Sequence, residues 1–232
     1  MVMSCNCRSP ANSDHDFSKL FDANRQASLS RLSLLSDPLV STNLTDILSE
    51  YEISDPCLDI GCGRGQILRV LGPSSVGLDY VEENCLACAR THNAVVCADA
   101  NAALPFREHA FSGIVCSHVL EHLVDPHRSL VEMKRVLVPE GYLILALPTR
   151  RSIVRLLVDD YFTDHPSHIH AFNHSSITRL LDGAGFAVCE CRIDLPKSAK
   201  SRVVYTLQTM MNVCPRPFWV LSNAFWVVAR PR

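Results

Sequence analysis

The amino-acid sequence predicts a doubly wound α/β domain, in which a mostly parallel β-sheet carries an antiparallel strand at its edge. Two observations lead to this prediction. From residue 56 onward, short apolar runs alternate with segments of helical periodicity, the pattern of a parallel sheet covered by helices on both faces. The first apolar run ends in a glycine-rich turn, which in such sheets is typical of a ligand-binding site.

Length and composition favour one folded domain with an additional segment. The chain has 232 residues, 47% of them hydrophobic, so it can bury a full core without disulfides or metals. The high hydrophobic content, together with the near balance of 22 basic and 24 acidic residues, excludes a disordered chain. The charge balance also argues against a protein that coats nucleic acid. With 9 glycines and 13 prolines, the chain is neither collagen-like nor of low complexity.

The cysteines indicate a reducing compartment. Their number, 11, is odd, and several lie within apolar runs, so we expect free thiols that pack as small hydrophobic residues. The first residues lack the apolar segment of a secretory signal, and no apolar run is long enough to predict a membrane-spanning helix. These observations predict a cytoplasmic protein.

Three regions follow one another along the chain. Residues 1–14 are polar and are predicted to be a flexible N-terminus. Residues 15–55 contain two helical patterns, the second beginning near Thr42, and are predicted to form a helical lid over the ligand site. Residues 56–232 form the main domain, with an insertion at about 195–222.

Each element of the main domain is predicted from its hydrophobic pattern. Buried apolar runs predict the strands, and apolar residues at helical spacing predict the helices. The predicted strands are 57–60, 76–79, 94–98, 113–116, 142–147, about 186–193 and about 224–229. The predicted helices are 67–71, 85–89, 130–137 and about 175–183, the last of which ends at Gly-Ala-Gly.

The strongest functional signal is the turn at residues 61–65, Gly-Cys-Gly-Arg-Gly. Its glycines let a ligand approach bare backbone, and the N-terminus of the predicted helix behind them offers unpaired N–H groups. A dinucleotide-binding fingerprint needs a glycine at position 66, where this chain has Gln66. Asp59, on the preceding strand, is poorly placed beside a pyrophosphate and well placed to contact an ammonium group.

Two further acidic residues stand at the ends of the next two strands. Asp79 can accept hydrogen bonds from both hydroxyls of a ribose. Asp99 can accept one from an adenine amino group, with the Ala100 backbone against the ring. An acid at the end of a strand often only caps a helix, but three of them beside one glycine turn predict an adenosine-binding site.

Residues 56–148 resemble a class I S-adenosylmethionine-dependent methyltransferase. The resemblance rests on LDIGCGRGQ, GLDY, CADANAALPF, FSGIVCSHVLEHL and VLVPEGYLILALP. The stretch HIHAFNHSSITRLLDGAGF at 168–186 is similar to the type-11 branch, which includes quinone-biosynthesis methyltransferases. The resemblance implies a seven-stranded Rossmann-like sheet. It covers about 56–193, and the first 55 residues and the insertion do not match it.

The resemblance also implies a cofactor and its contacts. S-adenosylmethionine would bind and leave as S-adenosylhomocysteine. Asp59 would lie near its amino group, Asp79 at the ribose, and Ser117 and His118 beside the methyl group. The implied cofactor-binding residues are Asp59, Gly61, Gly63, Gly65, Asp79, Tyr80, Asp99, Ala100, Ser117 and His118.

Methyl transfer from a sulfonium mainly requires an acceptor held in line with the methyl group. A general base is needed only when the acceptor must lose a proton, and the candidates are His118, His165, His168 and His170. Residues 164–170 form a histidine-rich loop that is interpreted as the rim of the active site, with a plain loop or a metal site as alternatives. We expect no metal, because no established metal-binding spacing accompanies the loop. Glu121 and His122 are expected to be structural, on the helix after the fourth strand.

We expect a small-molecule acceptor and no nucleic-acid partner, because no docking module for a macromolecule is visible. The stretch 200–226 is basic and rich in aromatic residues and methionine. We interpret it first as a solvated edge around an ordinary helix and strand, with an amphipathic surface for a lipid membrane or an acidic partner as the alternative. The stretch gives a slight preference for an apolar or lipid-like acceptor. Two other functions stay open: a non-catalytic protein of the same fold, and an NAD(P)-dependent oxidoreductase, against which Gln66 and Asp59 argue.

Overall fold

The structure is a computed structural model that describes residues 2–4, 42–92, 94–149, 168–194 and 224–232. These residues contain eight strands: β1 Val2–Ser4, β2 Cys57–Ile60, β3 Val76–Asp79, β4 Val95–Cys97, β5 Phe111–Ser117, β6 Leu137–Pro148, β7 Phe186–Asp194 and β8 Ala224–Pro231. They also contain the helices α1 Thr42–Glu50, α2 Glu82–Cys88, α3 Pro126–Val136 and α4 His174–Gly183, and a 3₁₀ turn at Leu120–His122.

The strands form one sheet in the order β1-β4-β3-β2-β5-β6-β8-β7. From β1 to β6 every neighbouring pair is parallel, whereas β8 runs antiparallel to both β6 and β7. The doubly wound, mostly parallel sheet with antiparallel pairing at one side is therefore confirmed. Because β2 lies between β3 and β5, the strand order reverses direction there, and ligands of such sheets bind beyond the carboxyl ends of these strands.

Among the described residues, the sheet has one strand more than the seven expected, and this additional strand is β1. It lies in the segment 1–14, for which the sequence predicts a flexible N-terminus. Residues 2–4 pair in parallel with β4, with Met3 opposite Val96. Without this pairing β4 would be the outer strand, with unpaired backbone N–H and C=O groups along its edge. These three residues are therefore part of the sheet, and residues 5–14 lie outside the described part of the chain.

Both faces of the sheet are buried. Along β5, Ile114 packs into the larger hydrophobic cluster with α3 and α4, whereas Val115 packs into the cluster on the other face. Leu44 and Ile47 of α1 belong to that second cluster and are fully buried. Burial of each such side chain stabilises the fold by about 1.5–3 kcal/mol. Helix α1 confirms the helical pattern predicted from Thr42.

The helix predicted at 67–71, directly after the glycine turn, is not formed. Residues 63–70 make successive turns instead, one of them closed by the Val70 N–H on the Ile67 carbonyl at 3.0 Å. Gly63 and Gly65 have φ of 53° and 82°, outside the range of a right-handed helix. Gly72 and Pro73 follow, and both disfavour the continuation of a helix.

Two aromatic residues of the basic stretch 200–226 are core residues. Phe225 is 0% and Trp226 4% exposed, because β8 lies between β6 and β7 and is covered on both faces. For these two residues, both the solvated edge and the alternative of an amphipathic surface are wrong. Residues 195–223, which contain the predicted insertion, lie outside the described residues, as do most of the predicted lid and residues 150–167 with His165.

Two expectations about the chain's chemistry can be compared with the described residues. All of the cysteines within them are free, as the odd count predicted; these are Cys57, Cys62, Cys85, Cys88, Cys97, Cys116, Cys189 and Cys191. None of the described helices combines the length and the apolar character that crossing a membrane requires.

Candidate active site

The glycine turn is fixed to the end of β3. The backbone N–H groups of Gly61 and Cys62 both donate to the Leu78 carbonyl, at 2.7 and 3.0 Å. Gly61 has a φ of 75°, and a Cβ at this position would lie 2.2 Å from Cγ2 of Val119. Only glycine combines this conformation with this contact. The turn therefore lies directly against the segment that follows β5.

Asp59 lies in β2, just before the turn, and is buried at 1% exposure. Neither of its carboxylate oxygens has a hydrogen-bond partner among the described residues. Burial raises the pKa of Asp59 well above its usual value, and the nearby Asp79 adds to this effect. A buried carboxylate without a partner is costly, so this site is suited to a cationic ligand group such as an ammonium.

Asp79, the last residue of β3, fixes the glycine turn by a hydrogen bond to its backbone. Its Oδ2 accepts a hydrogen bond from the Gly63 N–H at 2.9 Å, and its Oδ1 accepts from the Val81 N–H at 2.9 Å and from Nδ2 of Asn84 at 3.4 Å. Burial raises the pKa of Asp79, although these hydrogen bonds oppose the change. Oδ1 thus already accepts two hydrogen bonds, whereas Oδ2 accepts one and keeps an acceptor position that a ribose hydroxyl can use. Asn84 was not predicted; its signal is a polar residue in the first turn of α2, and it is 1% exposed.

Asp99 and Ala100 lie beyond the end of β4. Oδ1 of Asp99 accepts hydrogen bonds from the backbone N–H and the Nδ2 of Asn101, both at 2.9 Å, which forms a local turn. Ala100 is 7% exposed, and its carbonyl accepts from the Ser129 hydroxyl at 2.9 Å. Because β2, β3 and β4 are adjacent and parallel, Asp59, Asp79 and Asp99 stand at the same edge of the sheet, with the half-buried Tyr80 beside them.

Ser117 and His118 stand where β5 ends, next to the glycine turn. His118 has a φ of 55°, a conformation that is uncommon for residues other than glycine and often occurs at functional sites. Its backbone N–H donates to the Ala146 carbonyl at 2.9 Å, which holds it against β6. Its side chain is 30% exposed and is therefore available to a ligand.

Several histidines surround Glu121, which is fully buried in the 3₁₀ turn. Nδ1 of His118 and Nε2 of His122 lie 3.6 and 3.9 Å from its Oε1. Burial alone would raise the pKa of Glu121, but these two imidazoles lower it below its usual value. The sequence predicted a helix here; the segment is one 3₁₀ turn.

The structure brings the described part of the histidine-rich loop to the same place. The backbone N–H of His170 donates to the Glu121 carbonyl at 3.0 Å. The rings of His122 and His168 meet edge to face, with centroids 4.7 Å apart. Sequence reasoning gave Glu121 and His122 a structural role and missed this convergence, because the loop is distant in sequence. The only available signal was the spacing His-x-x-Glu-His at 118–122.

These residues fit S-adenosylmethionine. The unpaired buried carboxylate of Asp59 matches the cofactor's amino group, and the glycine turn gives its methionine part a wall without side chains. Asp79 and Asp99 offer acceptors for ribose and adenine. The unpaired, buried carboxylate of Asp59 is the observation that supports this fit. The contacts of the individual residues with the cofactor stay predictions.

Comparisons with known proteins agree with this fit. A family model described as a methyltransferase domain matches residues 58–145. The chain is 38% identical over 106 residues to the human "Probable tRNA methyltransferase 9B". This alignment covers 42% of this chain and 22% of the human protein. The chain is also 34% identical over 178 residues to the "Uncharacterized protein MJ1252" of Methanocaldococcus jannaschii, and the alignment covers 73% of this chain and 70% of that protein.

A solved structure extends the comparison to the fold. A SAM-dependent methyltransferase from Aquifex aeolicus superposes with a TM-score of 0.60 at 18% identity, over 88% of this chain and 98% of that one. The chain spans only about a fifth of the human relative's length. The family model assigns residues 58–145 to the methyltransferase domains, and the superposition shows that the chain has the fold of an S-adenosylmethionine-dependent methyltransferase.

Proposed function

We propose that this protein transfers a methyl group from S-adenosylmethionine to a small-molecule acceptor. The observation that carries the proposal is the Asp59 carboxylate, buried without a hydrogen-bond partner beside a glycine turn. A fold that places an unpaired carboxylate in its interior loses stability, and a positively charged ligand group compensates for this loss. The cofactor's ammonium group is such a partner, whereas a pyrophosphate would be repelled by the carboxylate.

Each part of the site has a task in this proposal. When bound, S-adenosylmethionine supplies a methyl group on a sulfonium, which is already activated for transfer. Asp59 and the glycine turn hold the amino-acid end of the cofactor, and Asp79 holds its ribose. Ser117 and His118 border the place of the methyl group and position the acceptor in line with it.

His118 is the residue best placed to contact the acceptor. Its Nδ1 lies 3.6 Å from Oε1 of Glu121, and its ring is partly exposed, so an acceptor hydroxyl or amine can reach the imidazole. When the acceptor must lose a proton, this imidazole is the group that can take it. His168 contacts the His122 ring, and the His170 backbone hydrogen-bonds to Glu121. Both residues therefore contact the 3₁₀ turn and are candidates to support the position of His118.

An assay for S-adenosylhomocysteine formation tests the proposal. The full-length protein is incubated with methyl-labelled S-adenosylmethionine and panels of phenols, amines, thiols and apolar quinols. Label in a small molecule, lost in Asp59→Asn and kept in the exposed control Glu108→Gln, supports the proposal. Cofactor binding without turnover on any acceptor would favour the non-catalytic alternative.

Transfer RNA is a second candidate acceptor, and the observation that favours it is the human relative's name. This observation stands against the expectation of no nucleic-acid partner. The aligned segment covers 42% of this chain and 22% of the human relative, so the acceptor of that protein does not carry over to this chain without a direct test. Unfractionated tRNA therefore belongs in the same assay, and label in the RNA alone would overturn the small-molecule proposal.

A further inference from the structure

A group of three potential metal ligands lies next to His118, beside the proposed methyl-transfer site. One ligand atom each from Glu121, His122 and His168 lies within 4.8 Å of the other two. Two of these residues come from the 3₁₀ turn after β5, and the third comes from the loop before α4. The backbone hydrogen bond from the His170 N–H to the Glu121 carbonyl joins the two segments and fixes their relative position.

The spacing of the atoms is suited to one small ion. Oε1 of Glu121 lies 3.9 Å from Nε2 of His122. Zinc binds imidazole nitrogen and carboxylate oxygen at about 2.0–2.2 Å, so two atoms that share an ion can be at most about 4.4 Å apart. The Glu121–His122 pair is already within this limit. The third atom reaches it with a shift of a few tenths of an ångström at most, which an imidazole rotation supplies.

The Glu121 carboxylate provides an independent reason to expect a cation. It is 0% exposed, and neither oxygen has a hydrogen-bond partner among the described residues. Buried carboxylates are normally paired with a cation or bound to a metal. Nε2 of His122 lies 3.9 Å from Oε1 of Glu121, which is beyond hydrogen-bonding distance but matches the separation of two ligands around one ion.

The donor set indicates the class of ion. Two imidazoles and one carboxylate are typical of zinc, iron, cobalt or manganese, whereas calcium and magnesium prefer sites made of oxygen alone. We propose that Glu121, His122 and His168 bind one divalent transition-metal ion next to the methyl-transfer site. Three protein ligands leave further coordination positions open, as in catalytic rather than structural metal sites.

Cobalt(II) is a suitable probe, because its visible spectrum reports its ligands. The full-length protein is treated with a chelator, freed of it, and titrated with cobalt(II) and, by calorimetry, with zinc. We expect one ion per chain and a spectrum without the strong near-ultraviolet band of cobalt–thiolate bonds. This distinction matters because the chain's 11 cysteines can also bind these metals.

Matched variants locate the ion. Glu121→Gln and His168→Ala are each expected to weaken binding at least tenfold, while the exposed His127→Ala binds as the wild type does. Circular dichroism shows whether each variant is folded, and His122→Asn replaces any that is not. Absence of binding, a thiolate spectrum, or equal affinity of the ligand variants would each overturn the proposal. S-adenosylhomocysteine binding, measured in parallel, tests the proposed function separately.

Discussion

The backbone N–H of Gly63 donates a hydrogen bond of 2.9 Å to Oδ2 of Asp79. The glycine turn that follows β2 is thus held by the carboxylate that ends β3. One side chain therefore both shapes the turn and faces the predicted ribose site, so a change at Asp79 acts on two parts of the cofactor site at once.

Replacing Asp79 with alanine should weaken cofactor binding by about 1–3 kcal/mol, because buried hydrogen-bonding groups lose their partner. The affected protein groups are the N–H groups of Gly63 and Val81, and the ligand groups are the ribose hydroxyls. Calorimetric titration with S-adenosylhomocysteine measures the change. Glu108→Ala, at an exposed position, serves as the control. Unchanged affinity in Asp79→Ala would refute the placement of the ribose.

Alanine at Gly61 should destabilise the fold more than alanine at Gly63. Both glycines have positive φ, and the left-handed conformation costs about 1–2 kcal/mol for other residues. A Cβ at position 61 would also meet Val119 at 2.2 Å, whereas at position 63 the nearest atom is Oε1 of Gln66 at 3.8 Å. Urea denaturation of the two variants gives the comparison. Equal losses would show that the contact with Val119 relaxes without cost.

The attachment of α1 to the edge strand should depend on Arg192. This side chain is nearly buried and donates to both oxygens of Glu190, at 2.7 and 2.9 Å, and to Glu50 of α1. Arg192→Ala should lower the free energy of unfolding by about 1.5–3 kcal/mol, the range for hydrogen bonds to charged groups. Glu50 is 61% exposed, so Glu50→Ala should cost at most about 1 kcal/mol. Similar losses in both variants would contradict this account.

The stability of the ligand-free protein should depend on pH through Asp59. Burial raises the pKa of Asp59 in the folded state above its value of about 3.9 in the unfolded chain. Between these two values the folded state binds more protons, so its stability is greatest below the unfolded pKa and falls as pH rises toward the folded one. Asp59→Asn cannot ionise and should lack this decline.

Denaturation of both proteins across the pH range measures this effect. The stability advantage of Asp59→Asn over the wild type should grow as pH rises above about 4. Two curves that stay parallel would show that Asp59 has the same pKa in the folded and unfolded states, and would remove the reason to expect a cationic ligand there.

Features that depend on residues close together in the sequence could be predicted, whereas features that depend on long-range contacts could not. The apolar runs located the strands of the main domain, and the acids at their ends located the cofactor site, because parallel strands bring their carboxyl ends together. The helix after the turn was predicted wrongly, since periodicity at 67–71 does not register the left-handed backbone of Gly63 and Gly65. Long-range contacts gave no signal: neither the meeting of His122 with His168 nor the pairing of residues 2–4 with β4 can be read from spacing.

Calorimetric titration with S-adenosylmethionine, S-adenosylhomocysteine and NAD(H), on the wild type and on Asp59→Asn, tests the central claim most directly. The wild type should bind both sulfur nucleosides and not NAD(H). Asp59→Asn should bind the sulfur nucleosides more weakly by about 1.5–3 kcal/mol, because the cofactor's ammonium group loses its charged partner. Binding of NAD(H) alone, or equal affinity of the two proteins for S-adenosylhomocysteine, would contradict the assignment of Asp59 and with it the account of this site.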